Sequence, residues 1–193
     1  MHETLMRYLP RFMIVLTVSL CVIFTLFLSP DTLIAYIGVE NGYLLVLILA
    51  FISGVSVFGV APYHLMLLTL AVGGLNPWFL ALAATTGLGI GDSTSYFLGY
   101  HGRNIVPATL EPLVERMTHF FERHHDTIPL YIFLYGMFAP FSNDFVGVTL
   151  GVLRYPFFRL MIPLLSGTFI FNATIGLLAP SMYDTLLTVI SYI

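Results

Sequence analysis

The sequence predicts an all-α integral membrane protein, one polytopic domain over residues 1–193 built from two inverted-topology repeats. Each repeat would be a re-entrant helical hairpin followed by a transmembrane helix, with an N-terminal transmembrane helix before them and an amphipathic surface helix between them. Three observations predict this: the composition, a similarity between two segments, and the placement of the arginines. Of all residues 58% are hydrophobic and 9% charged, too few polar groups to cover a water-soluble core. The net charge of -3 selects no partner by itself, and no nucleic-acid partner is expected.

The elements follow in chain order. Arg7 and Arg11 precede FMIVLTVSLCVIFTLFL, 17 apolar residues that end in SPD without a small-x-small cleavage pattern. A retained transmembrane helix is favoured over a signal peptide. Cys21, the one cysteine, lies within it, so no intrachain disulfide forms and no Cys/His metal spacing exists. After a half-polar stretch, Asp31 to Asn41, apolar residues run from Gly42 to Leu75. That run is too long for one crossing and too short for two, at about 20 residues each. Pro62 divides it, and a hairpin that enters and leaves by the same side resolves the mismatch.

Pro77 opens PWFLALAATTGLGIGDSTSYFLG, a spanning helix with Trp78 placed for an interface. Residues 100–126 face water. Within them Leu110, Leu113, Val114, Met117 and Phe121 recur at helical spacing while Glu111, Glu115, Arg116, Glu122 and Arg123 face elsewhere. This reads as an amphipathic helix on the membrane, the rival being a partner-binding helix. Next comes Ile128 to Leu153, whose only formal charge is Asp144, within GMFAPFSNDF. After RYPFFR a second spanning helix runs from about Pro156 to Leu178, and a short segment with Asp184 ends the chain.

Two pieces match with one-residue gaps: Ala61 to Phe79, APYHLMLLTLAVGGLNPWF, and Ala139 to Phe158, APFSNDFVGVTLGVLRYPFF. They place repeat 1 at about 43–99 and repeat 2 at about 127–180. One crossing separates the hairpins, so the copies enter from opposite sides, an architecture associated with transporters. With the N-terminus cytoplasmic, all seven arginines then share one face, as the positive-inside rule prefers. The alternative, residues 128–153 as a single kinked crossing, puts Arg154 and Arg159 on the other face.

An intramembrane carboxylate costs roughly 3 kcal/mol on insertion scales, which makes Asp144 the first candidate functional residue. Pro140 interrupts the helix, as Pro62 does in the first hairpin, and Ser142 and Asn143 can bond the freed backbone groups. His64 holds nearly the equivalent place in the first hairpin, so the two form a candidate proton-responsive pair. The structural alternatives are capping by Asp144 and a carbonyl bond from His64. Asp92, beside Gly87, Gly89 and Gly91, is either a third member of this centre or a structural bond to a neighbouring hairpin. His101, His119, His124 and His125 read as surface residues, and HFFERHH is too loosely arranged for a metal site. No cofactor is implied.

Three stretches carry a resemblance: GLGIGDSTSYFLGYHGR (87–103), FAPFSNDFVGVTLGVLRYPFFRL (138–160) and GVAPYHLMLLTLAVGGL. Together, covering about residues 43–178, they resemble the DedA/VTT superfamily, also called SNARE-associated Golgi proteins. The resemblance implies lipid handling: phospholipid scrambling or flipping of a polyprenyl-phosphate carrier, in some members linked to protons. Many similar proteins carry two arginines about the second tip, where this chain has Met137 and Asn143, and an acidic residue where it has His64.

Four readings follow. A lipid transporter would work through the polar centre, with membrane lipids and protons as its partners. A proton-coupled exporter of a small solute or cationic drug would use His64, Asp92 and Asp144, and suits the missing arginines. An intramembrane enzyme lacks any nucleophile–base or His-Glu-x-x-His signature, so no enzyme is expected. A non-transporting scaffold would use the amphipathic helix. The glycine spacings permit a homo-oligomer as readily as packing within one chain, and a prokaryotic cytoplasmic membrane is the default location.

Overall fold

The structure, a computed structural model, describes residues 38–55, 60–105, 107, 109, 111–138 and 143–191. The predicted N-terminal helix, Cys21, Leu110, Pro140 and Ser142 lie outside these residues. Seven α-helices are described: α1 Val39–Val55, α2 Val60–Val72, α3 Pro77–Gly102, α4 Glu111–Arg123, α5 Ile128–Phe138, α6 Asn143–Val152 and α7 Phe157–Ser191. A short 3₁₀ turn, Arg103–Ile105, follows α3, and no strand occurs among the described residues.

Local chemistry sets the ends of these helices. Pro77 takes the first position of α3, where its missing N–H costs nothing, and the Asn76 side chain accepts from Trp78 N at 2.9 Å. Pro62 was expected to break the first hairpin. It lies in the first turn of α2, where proline is tolerated. α7 also departs from expectation, running to Ser191 through Pro163 and Pro180, so Asp184 belongs to this helix and not to a separate segment.

α7, over Phe157–Tyr183, is the described helix both long and apolar enough to cross a membrane. α3 is comparably long, about 39 Å, but Thr85, Thr86, Asp92, Ser93, Thr94 and Ser95 make it more polar than the sequence reading of a clear span allowed. Large apolar side chains lie exposed along every long helix, among them Leu82, Ile90 and Leu98 on α3 and Ile162, Leu177 and Met182 on α7. Such surfaces suit a lipid solvent.

α3 is the central element. It packs on α1, α6 and α7, while α5 packs on α7 and α2 crosses to α7. Each first arm thus lies on the long helix that follows its own pair, and each second arm on the other long helix. Backbone approach makes these contacts close. A Cβ on Gly87 would stand 2.2 Å from Leu47 O of α1, and one on Gly167 2.2 Å from Phe133 O of α5. Small residues at helix interfaces allow the dispersion contacts that must replace hydrophobic drive in lipid.

In each short-helix pair, residues at the two outer ends meet. Tyr43, early in α1, accepts a bond at its hydroxyl from Asn76 N just beyond α2, at 3.1 Å. Phe121, just before α5, meets Tyr155, just after α6, at 5.8 Å between ring centres. The first pair opens at the N-terminal end of α3. The second opens at its C-terminal end, where Arg103 donates to Val152 O.

α4 forms as the helical spacing predicts, with Glu111 in its first turn and Arg123 in its last, each favoured by the helix dipole. Its apolar face meets this chain's own core, however. Val114, Met117 and Phe121 pack with Ile128, Leu150 and Tyr155. Leu113, assigned to that face, is exposed instead, beside an exposed Phe120.

Candidate functional site

The site grows from the contact between α3 and α6. Gly147 of α6 faces the α3 backbone beside Asp92 and Ser95, so the two helices approach closely and carry their first-turn and mid-helix polar groups inward. Asp92 is 1% exposed and Asp144 5% exposed. The Asn143 amide donates to Asp92 Oδ2 at 3.0 Å, and the Ser95 hydroxyl donates to Asp144 Oδ1 at 2.7 Å. Two carboxylates on different helices are thereby cross-linked by two neighbours, each helix holding the other's acid. Tyr63 lies within electrostatic reach of Asp92, and Tyr135 within reach of both acids.

Three of the residues singled out from the sequence therefore come together: Asp92, Asn143 and Asp144. Asn143 was expected to bond backbone freed at the break. Its amide donates to Asp92, a buried carboxylate being a strong acceptor, and the backbone at the break lies outside the described residues. Asp144 stands in the first turn of α6, where an acid is also favoured by the dipole. His64 is half-buried on α2, its Nε2 2.9 Å from Tyr63 Oη and its ring 5.7 Å from Phe171 of α7. His64 thus has Phe171 of α7 as a neighbour, and Asp144 has Ser95 of α3.

Residues the sequence reading missed complete the picture. Thr69, Leu70 and Ala71 carbonyls accept from Gly73, Leu75 and Gly74, and Thr149, Leu150 and Gly151 carbonyls accept from Leu153, Tyr155 and Arg154 in the same pattern. One fixed interval relates the two turns. Applied further, it carries His64 to Asp144, Gly87 to Gly167 and Asp92 to Asn172. Asn172 is fully buried, with its amide 3.4 Å from Thr85 Oγ1 and its Oδ1 without a hydrogen-bond partner. A neutral amide thus occupies on α7 the place that a carboxyl occupies on α3. Ser95 was findable as the residue three beyond Asp92 on the same helix face.

A helical membrane protein with paired buried carboxyls between closely packed helices is the class these features define. A family model of the VTT domain matches residues 61–179, most of the chain, and the protein belongs to that family, the DedA and SNARE-associated Golgi group. The match takes in α2 through most of α7, and with them His64, Asp92, Asn143 and Asp144. Neither the curated proteins nor the solved structures contain a match.

Proposed function

We propose that this DedA-type membrane protein moves phospholipid or a polyprenyl-phosphate lipid between leaflets, without acting as an enzyme. The headgroup would pass a polar centre at the inner ends of two re-entrant hairpins, α1–α2 and α5–α6, while its tails stay in the membrane. The single observation that carries the reading is the pair Asp92 and Asp144, the buried carboxyls among the described residues, held between α3 and α6 by Asn143 and Ser95. Ionisable groups at membrane depth are costly and mark substrate or proton paths. An inverted repeat is supported by the exchanged packing of the second arms and by the matched turns at Gly74 and Arg154. On this reading the arginine-bearing end faces the cytoplasm of a prokaryotic cell.

The test is leaflet exchange of a fluorescent phospholipid in vesicles, with an outside quencher, for wild type and Asp144→Asn. Rapid exchange that the variant loses supports the pathway. Exchange no faster than in empty vesicles, from folded protein, sinks it.

A second reading is a proton-coupled exporter of a small solute or cationic drug. It is favoured by the neutral character of the acids' described partners, an amide and a hydroxyl, since an acidic centre attracts a proton or cation and repels phosphate. Uptake of a cationic dye driven by an imposed pH gradient, lost in Asp92→Asn, would select it.

A further inference from the structure

A groove of about 450 Å³ lies between α4, α5 and α6, a size that takes a drug-sized guest. Buried Ile132 and Leu150 line it together with four rings: Phe120 of α4, Tyr131 and Tyr135 of α5, and Phe145 of α6. Phe120, Tyr131 and Phe145 are exposed. Among the described residues that line the groove, none is basic. One end adjoins the carboxyl pair, since Phe145 follows Asp144 in the chain and Tyr135 is within electrostatic reach of both Asp92 and Asp144.

The other helix pair provides an internal comparison. The interval that carries Asp92 to Asn172 and His64 to Asp144 also carries Leu65 to Phe145. For the first arms, the match follows from the glycine contacts. A Cβ on Gly87 would face Leu47 O and Phe51 N, and one on Gly167 would face Phe133 O and Met137 N. Tyr131 and Tyr135 of α5 therefore correspond to Leu45 and Leu49 of α1. Buried Ile132 and Gly136 correspond in the same register to buried Val46 and Ala50. At three matched positions the second pair of helices thus carries rings where the first carries leucines. The two carboxyls likewise stand against an imidazole and an amide.

That match decides between occupants. Leucine covers a lipid tail as readily as a ring does, because burial of apolar area is all that a tail requires. What a ring adds is a π face that attracts a cation, most strongly away from water. The acids supply the opposite charge, and two ionised carboxylates within reach of each other are relieved by a cation beside them.

We propose that this groove binds an amphiphilic organic cation, its apolar body against Tyr131, Ile132 and Phe145 and its charge at the Tyr135 end, toward Asp92 and Asp144. The proposal rests on the exporter reading of the same acid pair and names the guest and the place where it docks.

The test is binding of radiolabelled tetraphenylphosphonium to the full chain in nonionic detergent, with protein-free micelles as background. Tetraphenylborate, an anion of the same shape, is the control. Wild type should bind the phosphonium saturably and in preference to the borate. Tyr135→Leu and Phe145→Leu install the residues that the first helix pair carries, so Tm should stay near wild type. Each should weaken binding about fivefold, the loss of one cation–π contact. Asp144→Asn should weaken it about tenfold or more. Phe158→Leu, which removes an exposed ring at the start of α7 outside the groove, should bind as wild type does. If both probes bind equally and every variant matches wild type, the groove takes apolar matter such as acyl chains, and the proposal fails. Weakening by Asp144→Asn alone, with both leucine variants at wild-type affinity, also overturns it, since the cation then meets the acids outside the groove. Ring-dependent binding without gradient-driven dye uptake keeps the groove site and removes the exporter reading. Uptake without ring-dependent binding does the reverse.

Discussion

Asn143 is the residue on which the buried centre turns, because its amide is the described donor to Asp92. Asn143→Ala should therefore cost about 1–3 kcal/mol, the penalty for a buried group stripped of its partner, read as a lower Tm in detergent. The isosteric Asp92→Asn should keep the fold, with Tm equal to wild type or higher, since Asn172 already shows an amide tolerated at the corresponding place on α7. A Tm drop as large as that of Asn143→Ala would show instead that the carboxylate itself holds the helices together. Asp92, Asn143 and Asp144 could be singled out from sequence because charge and amide stand out in apolar runs. Their mutual partners could not be. Ser95 on α3 and Tyr135 on α5 are ordinary neutral residues until the helices pack and bring them to the acids.

At the level of elements, the glycine contacts make a sharp distinction between positions. A Cβ at Gly99 would lie 2.2 Å from Val148 O of α6, whereas one at Gly102, three residues on, meets nothing within 4 Å. Gly99→Ala should destabilise by roughly 1–3 kcal/mol through forced separation of α3 and α6, and should slow any process that depends on the centre between them. Gly102→Ala should be neutral or slightly favourable by helix propensity. Equal effects in thermal unfolding would mean that close approach of α3 and α6 is not what the glycine provides. The helices themselves were legible because long apolar runs broken by Pro, Gly and polar clusters leave few alternatives. Their ends were less so. Pro163 and Pro180 did not stop α7, since neighbouring groups can satisfy the freed carbonyls in a helix of this setting. The apolar face of α4 was read as membrane-facing because periodicity reveals that a face is covered, not what covers it.

Across the whole molecule, the proposed topology puts the arginines on one face of the membrane. Phe121 before α5 touches Tyr155 after α6, and Arg103 reaches Val152 O, so the chain on either side of α5–α6 meets at one end. Single cysteines placed in a Cys21→Ser background test this directly in oriented membranes with an impermeant maleimide. Arg116→Cys on α4 and Arg159→Cys at the start of α7 should label from the same face, and Glu40→Cys at the start of α1 from the opposite one. The kinked single crossing predicts that Arg116→Cys and Arg159→Cys label from opposite faces, because the whole of 128–153 would then separate them. That geometry would also turn Asp144 toward the bilayer along a spanning helix, away from Ser95, at a cost of roughly 3 kcal/mol by insertion scales. α5 and α6, at 11 and 10 residues, extend about 15–17 Å each, half of a hydrocarbon core about 30 Å thick, so neither arm alone crosses it. Asn143 and Asp144, at the start of α6, meet Asp92 and Ser95 of α3.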